Sequence, residues 1–132
     1  MSSQPTGSPA AAVGAALSAL GVVSDGQWAE AVARAGGPDK LPVALDLLTR
    51  TPAAWAPTAD AAGVRSTALT PHQVRQIEKC LADPDGGGPA KLPRLLRWND
   101  YFILDPIGKG GMGVVYKGWD VPGGRYVAIK RT

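Results

Sequence analysis

The sequence predicts an α+β fold, with a small N-terminal helical region followed by a three-stranded antiparallel sheet. Capping boxes and leucines at helical spacing lie before residue 83. Short β-branched or aromatic runs, separated by glycine-rich turns, begin at residue 101. We therefore expect helices only before about residue 83 and strands only after residue 100.

Residues 1–9 contain serine, proline and glycine and are predicted to form a flexible leader, from which Ser8 and Pro9 start a first helix. The helical region is assigned to residues 10–82. Ser24 and Gln27 have the spacing of a capping box and predict a second helix that stops at Gly36.

A third short helix is predicted where Leu41, Leu45 and Leu48 recur at helical spacing. The segment from Thr51 to Ser66 is rich in proline, alanine and threonine. It gives only a weak helical pattern, near residues 59–62, and no firm assignment follows.

A fourth helix is predicted from a second capping box, formed by Thr70 and Gln73 with proline at the first helical position. Its buried stripe is predicted to consist of Val74, Ile77 and Leu81, and it ends near residue 82. Residues 83–89 cannot continue a helix, and we assign 83–100 to a linker.

The net charge of +3 is concentrated late in the sequence, where residues 91–132 hold eight basic and three acidic residues. This excess suits a phosphate-bearing partner, although a solvated basic face is an alternative. A nucleic-acid partner is not expected, because no helix-turn-helix, zinc or stacking-aromatic motif accompanies the charge.

Cysteine and histidine usage excludes two further classes of protein. A single cysteine, Cys80, and a single histidine, His72, leave no disulfide framework and no ordinary zinc site, so we expect no metal ligands here. The longest apolar run, residues 10–23, is too short to span a bilayer. We expect a cytoplasmic protein without a membrane segment in this sequence.

Residues 107–115 form a glycine-rich stretch in which Gly108, Gly110 and Gly113 fit the pattern G-x-G-x-x-G and Val115 adds x-V. Strand-forming residues lie on both sides, so the loop is predicted to join two strands. A dinucleotide-binding loop would open a helix instead. A Walker loop is excluded because the Gly108-Lys109 pair is followed by glycine where serine or threonine must bind magnesium.

Residues 127–130 read Val-Ala-Ile-Lys on the third predicted strand, and the lysine lies 17 residues after Gly113. The glycine pattern and the Val-Ala-Ile-Lys stretch are each weak motifs, but together, in this order, at this spacing and on these strands, they form a specific motif. Over residues 101–132, about a quarter of the chain, the sequence resembles the protein kinase superfamily. The stretch from Gly108 to Gly118 is most similar to the eukaryotic-like serine/threonine protein kinases of bacteria.

The resemblance implies a partial kinase N-lobe at residues 101–132 that binds ATP. Ile107 and Val115 would pack above the adenine, and Ala128 would leave room for it. Lys130, the implied catalytic residue, would bridge the α- and β-phosphates and pair with a glutamate on a following helix. The implied nucleotide-binding residues are Ile107, Gly108, Lys109, Gly110, Gly111, Met112, Gly113, Val114, Val115, Ala128 and Lys130.

A kinase also needs a catalytic-loop aspartate and carboxylate and asparagine ligands for Mg²⁺, and no such motif occurs up to Thr132. We therefore expect the 132 residues to be the inactive N-terminal part, a truncated product or gene fragment, of a longer kinase that phosphorylates protein serine or threonine. The Mg²⁺ ligands, the glutamate and the protein-substrate site are expected after Thr132.

Two alternatives remain open. The helices at 10–82 could form a non-catalytic interaction module attached to a vestigial kinase remnant. The glycine stretch could also be an ordinary hairpin turn and Lys130 a solvated strand lysine, although a plain hairpin has no need of four glycines within six residues.

Overall fold

The structure is a computed structural model that describes residues 9–83, 88–111 and 113–131. The predicted leader, apart from Pro9, lies outside the described residues. Within the described residues, five α-helices, one 3₁₀ turn and four β-strands follow one another: α1 Pro9–Leu20, α2 Asp25–Ala35, α3 Leu41–Leu48, α4 Pro71–Ala82, the 3₁₀ turn Gly88–Lys91, α5 Leu92–Leu96, β1 Arg97–Trp98, β2 Tyr101–Gly110, β3 Gly113–Asp120 and β4 Arg125–Arg131. The α+β class is thus observed.

Helices α1 to α4 lie where the sequence predicts them. The capping box of α2 is present in both directions: the Ser24 hydroxyl accepts from the Gln27 backbone N–H, and the Gln27 side-chain oxygen Oε1 accepts from the Ser24 N–H. Gly36 follows the last residue of α2 with φ 101°, and its N–H bonds to the Ala33 carbonyl. Capping and a left-handed C-cap therefore set both ends of this helix.

The capping box of α4 also connects the helix to the sheet. Thr70 and Gln73 are buried, and besides their reciprocal bonds they reach β2. The Thr70 hydroxyl donates to the Leu104 carbonyl at 2.9 Å, and the Gln73 amide donates to the Ile103 carbonyl at 2.9 Å. These bonds satisfy two carbonyls of β2 beside a local irregularity of that strand.

The buried stripe of α4 differs from the prediction. Gln73, Ile77 and Cys80 are its buried residues, whereas Val74 and Leu81 are only partly covered. Ile77 is common to both sets, and the buried positions on either side of it shift by one residue. Gln73 can be buried because its side-chain amide donates to the Ile103 carbonyl and accepts from the Thr70 N–H, which removes the penalty of burying that group.

The segment between α3 and α4 contains no helix. It has two isolated β-bridges instead, Pro52 to Thr67 and Ala59 to Arg65. The Asp60 carboxylate stabilises the second one by accepting from the Ala62 and Val64 N–H groups, both at 2.9 Å. Such side-chain bonds compete with helix formation and account for the weak helical pattern that is not realised.

The sheet has four strands, so the prediction of three is wrong. The additional strand β1 has two residues, which pair with Phe102 and Tyr101 across a tight turn. Asn99 takes φ 51° in that turn, a conformation that asparagine tolerates. A two-residue strand is too short to give a periodic pattern.

The prediction of no helix after residue 83 is also wrong, because the 3₁₀ turn and α5 lie at 88–96. Leu92 and Leu96 of α5 are fully buried, and α5 contacts α1, α4 and β2. Helix α5 is too short to be stable alone, so burial of these leucines holds it. This part of the assigned linker is therefore folded against the rest of the chain.

The strands lie in the order β1-β2-β3-β4, and every neighbouring pair is antiparallel. Side chains alternate between the two faces, so residues paired directly across strands share a face. We call the Lys130 face the one that carries Val115, Lys117, Trp119, Tyr126, Ala128 and Lys130, and the Tyr116 face the opposite one. Among the described residues, nothing pairs with the outer edge of β4.

One continuous hydrophobic core joins the helices to the sheet. Its buried members come from all five helices, from the segment between α3 and α4, and from β2 and β3, and they include Leu17, Ala31, Leu45, Leu69, Ile77, Leu96, Phe102, Leu104 and Trp119. The division of the chain into a helical region and a partial kinase lobe stays a prediction. No helix in the described part of the chain is long and apolar enough to cross a membrane.

Candidate functional site

The glycine-rich stretch is a hairpin between β2 and β3, as predicted. Gly108 pairs with Val115, and Gly110 pairs with Gly113, so the turn lies between these last two residues. A strand, and not a helix, follows Gly113. The hairpin therefore has the strand-loop-strand form and lacks the loop-to-helix form of a dinucleotide-binding site.

The glycines of this sheet fall into two classes when a Cβ atom is placed on each. Gly113 has φ 129°, which side chains rarely adopt, and at Gly118 a Cβ would lie 2.4 Å from Ile129 Cδ1. Gly108, Gly110 and Gly111 have no positive φ, and a Cβ there would meet nothing closer than 3.9 Å. Backbone conformation and packing thus explain why glycine occupies positions 113 and 118, but they do not explain the glycines at 108, 110 and 111.

The absence of side chains at those three positions has an energetic cost. Glycine in a strand destabilises it by roughly 0.5–1 kcal/mol relative to alanine. Gly108 and Gly110 lie in β2 and Gly111 follows in the turn. All three are exposed, so no packing gain offsets the cost. What a bare backbone offers at such a place is close approach of a ligand to its N–H groups.

Lys130 lies in one row with the start of the glycine loop. Across the sheet, Gly108 pairs with Val115 and Val115 pairs with Lys130. Two strand spacings therefore separate Gly108 from Lys130, which is about 10 Å. The Lys130 side chain is exposed and forms no ion pair among the described residues.

The other implied site residues are distributed over both faces. Ala128 is exposed on the Lys130 face, whereas Val114 pairs with Arg131 and lies on the Tyr116 face. Ile107 is 60% exposed and sits at a register shift of β2, and Lys109 is exposed in the hairpin. Met112 lies outside the described residues. The Lys130 face is thus open to solvent around the implied adenine position.

A side-chain cluster that the sequence analysis missed borders the same face. The Lys117 ammonium donates to the Asp60 carboxylate and lies 4.8 Å from the centre of the Tyr126 ring. The Tyr126 hydroxyl donates to Ser66 Oγ at 2.8 Å. The segment 58–66 is therefore fastened to the sheet directly beside Ala128, which pairs with Lys117.

The Asp60 carboxylate is the electrostatic centre of this cluster. The Lys117 ammonium, followed by the N–H donors of Val64 and Ala62, holds the pKa of the Asp60 carboxyl below its ordinary value. The carboxylate thus stays charged and keeps Lys117 paired at neutral pH. Its position could not be foreseen from the sequence, because 57 residues separate the two partners.

Carboxylates do not gather into a metal site within residues 9–83, 88–111 and 113–131: no three His, Cys, Asp or Glu side chains come together there. Asp105, on β2, pairs with Lys117 across the sheet and lies away from the hairpin tip.

Comparison of the chain with protein-family models, with curated proteins and with solved structures found no match.

Proposed function

We propose that this chain carries part of the ATP-binding site of a serine/threonine protein kinase. The observation that carries the proposal is the row formed by Gly108, Val115 and Lys130, next to glycines that neither backbone geometry nor packing requires. A bare hairpin backbone can donate N–H groups to phosphate oxygens, and a lysine about 10 Å away can reach the same triphosphate.

Each group has a separate task in this proposal. The exposed hairpin covers the triphosphate, while Val115 and Ala128 contact the base on the same face as Lys130. The Lys130 ammonium neutralises the α- and β-phosphates and orients them. Mg²⁺ supplies further neutralisation of the phosphates in this class of reaction, and its ligands are expected outside the described residues.

Binding of ATP is proposed to be weak and phosphotransfer absent in the 132 residues alone. Ala128 and Lys130 are exposed, so the described residues form one wall of a nucleotide cleft. The sequence has no catalytic-loop aspartate to orient a substrate hydroxyl. Transfer of label from ATP to a protein serine by this chain would contradict the proposal of an inactive part.

The test is an ATP titration of the ¹⁵N-labelled chain, followed by backbone amide shifts. We expect shifts at 108–111 and 113–115, and an affinity at least about tenfold lower in Lys130→Met, because a charge-assisted phosphate contact is lost. Lys40→Met is the matched control, since Lys40 is an exposed lysine before α3. It should bind ATP as the wild type does.

Two results would overturn the proposal. One is a hairpin whose amides do not shift at millimolar ATP, which would favour the interaction module with a vestigial remnant. The other is an equal loss of affinity in both lysine variants, which would reduce the effect to net charge.

A further inference from the structure

A cavity of about 250 Å³ lies between two helices and the sheet, away from the candidate nucleotide site. Helices α4 and α5 form one side, and all four strands contribute to the other. The polar and aromatic residues that line it are His72, Gln76, Arg94, Trp98, Tyr116 and Arg131.

The cavity belongs to the Tyr116 face of the sheet. Tyr116 alternates with Val115 and Lys117 along β3, and Arg131 follows Lys130 on β4, so both point away from the Lys130 face. A ligand in the cavity would therefore be separated from ATP by the sheet. The inference below stands independently of the proposed kinase function.

Aromatic rings form the walls and hold one guanidinium in place. The Trp98 and Tyr116 rings meet edge to face, with centroids 5.7 Å apart at 81°, and the His72 ring lies 6.1 Å from Tyr116. The Arg131 guanidinium carbon is 4.4 Å from the centre of the Trp98 ring. This cation–π contact restricts the Arg131 side chain before any ligand arrives.

The charge of the cavity is positive and largely unpaired. Within the described residues, neither Arg94 nor Arg131 forms an ion pair. Burial lowers the pKa of the His72 imidazole, Asp105 opposes this and Arg75 adds to it, so His72 is neutral at pH 7. Two arginines from different elements, Arg94 of α5 and Arg131 of β4, thus line the cavity, and Asp105 is the carboxylate that acts on His72.

We propose that this cavity binds the phosphate group of a phosphorylated serine or threonine side chain of a polypeptide. A phosphate monoester carries nearly two negative charges at pH 7, which matches two guanidinium forks, and clusters of arginine recognise phosphorylated peptides in this way. The aromatic walls would contact the apolar atoms beside the phosphate. The volume lies below the range of about 300–1,000 Å³ typical of drug-sized ligands, so it suits a side chain better than a nucleotide.

The test uses a capped alanine pentapeptide with a central phosphoserine, titrated into the full chain by calorimetry. We expect Arg94→Gln and Arg131→Gln each to weaken binding by about tenfold or more, because each removes a charge-assisted contact. Arg34→Gln is the matched control, since Arg34 is an exposed arginine of α2 outside the cavity. Circular dichroism melts of the three variants report whether the fold is retained.

A second readout places the ligand at the cavity. His72 is the only histidine of the chain, so its imidazole proton signal can be followed through a pH titration without overlap. A bound phosphate dianion favours the protonated ring, and the titration midpoint of His72 should rise when the phosphopeptide is present. In Arg94→Gln and Arg131→Gln the rise should shrink together with the affinity.

Several outcomes would overturn the inference. If the unphosphorylated pentapeptide, or one with glutamate in place of phosphoserine, bound as tightly as the phosphopeptide, the cavity would not recognise phosphate. Inorganic phosphate that binds as tightly as the peptide would assign the cavity to free phosphate. If Arg34→Gln weakened phosphopeptide binding as much as the two cavity variants, or if the titration midpoint of His72 did not change, the peptide would bind elsewhere on the surface.

Discussion

A methyl group added at Gly110 and one added at Gly118 meet different surroundings. At Gly110 the Cβ enters open space and φ is not positive, so Gly110→Ala should raise the free energy of unfolding by about 0.4–1 kcal/mol. At Gly118 the Cβ would lie 2.4 Å from Ile129 Cδ1 and 3.0 Å from the Phe102 carbonyl oxygen. Gly118→Ala should therefore lower it by about 1–3 kcal/mol. Urea denaturation measures both changes.

The Gly110→Ala variant also distinguishes a ligand-binding role of Gly110 from a structural role. If the hairpin backbone holds phosphate, Gly110→Ala should weaken ATP binding while it stabilises the fold. A Gly110→Ala variant that is destabilised would show that the glycine serves internal structure, and the strongest argument for the candidate site would then fall.

Residues of the hairpin and Lys130 could be placed from the sequence because they belong to local motifs on consecutive strands. The sequence also predicts Gly113 as part of the motif, but not that φ demands glycine at this position and packing demands it at Gly118. Asp60 and the arginines of the cavity belong to no motif, and only the tertiary fold brings them to their partners.

The capping boxes of α2 and α4 have the same design but different surroundings. Ser24 is exposed, whereas Thr70 is buried and also donates to the Leu104 carbonyl. Ser24→Ala should cost about 1 kcal/mol of stability, the usual loss for an N-cap. Thr70→Ala should cost about 1–3 kcal/mol more, because the buried carbonyl loses its side-chain donor.

Thermal melts of the two variants, compared with wild type, check this difference. Thr70→Ser serves as the control, since it keeps the hydroxyl and should retain most of the stability. Equal losses in Ser24→Ala and Thr70→Ala would mean that the bond to β2 contributes nothing measurable.

Elements with their own local stop and start residues were predictable, and elements held by tertiary contacts were not. Helices α2 and α4 have both box residues in the sequence, and their bounds follow from them. Helix α5 has five residues and β1 has two, and neither can form without the buried leucines or the tight turn at Asn99. The segment 51–66 has no periodicity because bridges and side-chain bonds shape it.

At the scale of the molecule, Trp55 joins the segment between α3 and α4 to the sheet. Its ring lies 5.4 Å from Phe102 at 74° and 5.4 Å from Trp119 at 59°. Because the ring is half-buried and shares two aromatic contacts, Trp55→Ala should lower the free energy of unfolding by about 2–4 kcal/mol. Urea denaturation followed by near-ultraviolet circular dichroism measures the loss.

Trp55→Phe is the matched control. It keeps a ring and removes an indole N–H that is buried without a hydrogen-bond partner among the described residues, so it should cost less than about 1.5 kcal/mol. In the wild type, far- and near-ultraviolet signals should change together, since one core spans helices and sheet. Separate transitions would show two independently stable parts.

The fold class was predictable because the hydrophobic period changes along the chain from helical to strand spacing. The contact between the segment that contains Trp55 and the sheet was not predictable. Trp55 comes from the segment without a regular pattern, and its partners lie on β2 and β3. Nothing in the order of residues indicates that this indole lies against Phe102 and Trp119.

The outer edge of β4 affects how copies of the chain behave towards one another. Lys130 and Arg131 place positive charges along this strand, which has no acidic residue, while Arg125 at its start pairs with Asp120. Two such edges that approach each other bring like charges together, and this opposes strand pairing between molecules. The repulsion reaches about 8 Å at physiological ionic strength but only about 3 Å in 1 M salt. Self-association through β4 should therefore increase with salt, and an anion bound at Lys130 should favour it in the same way.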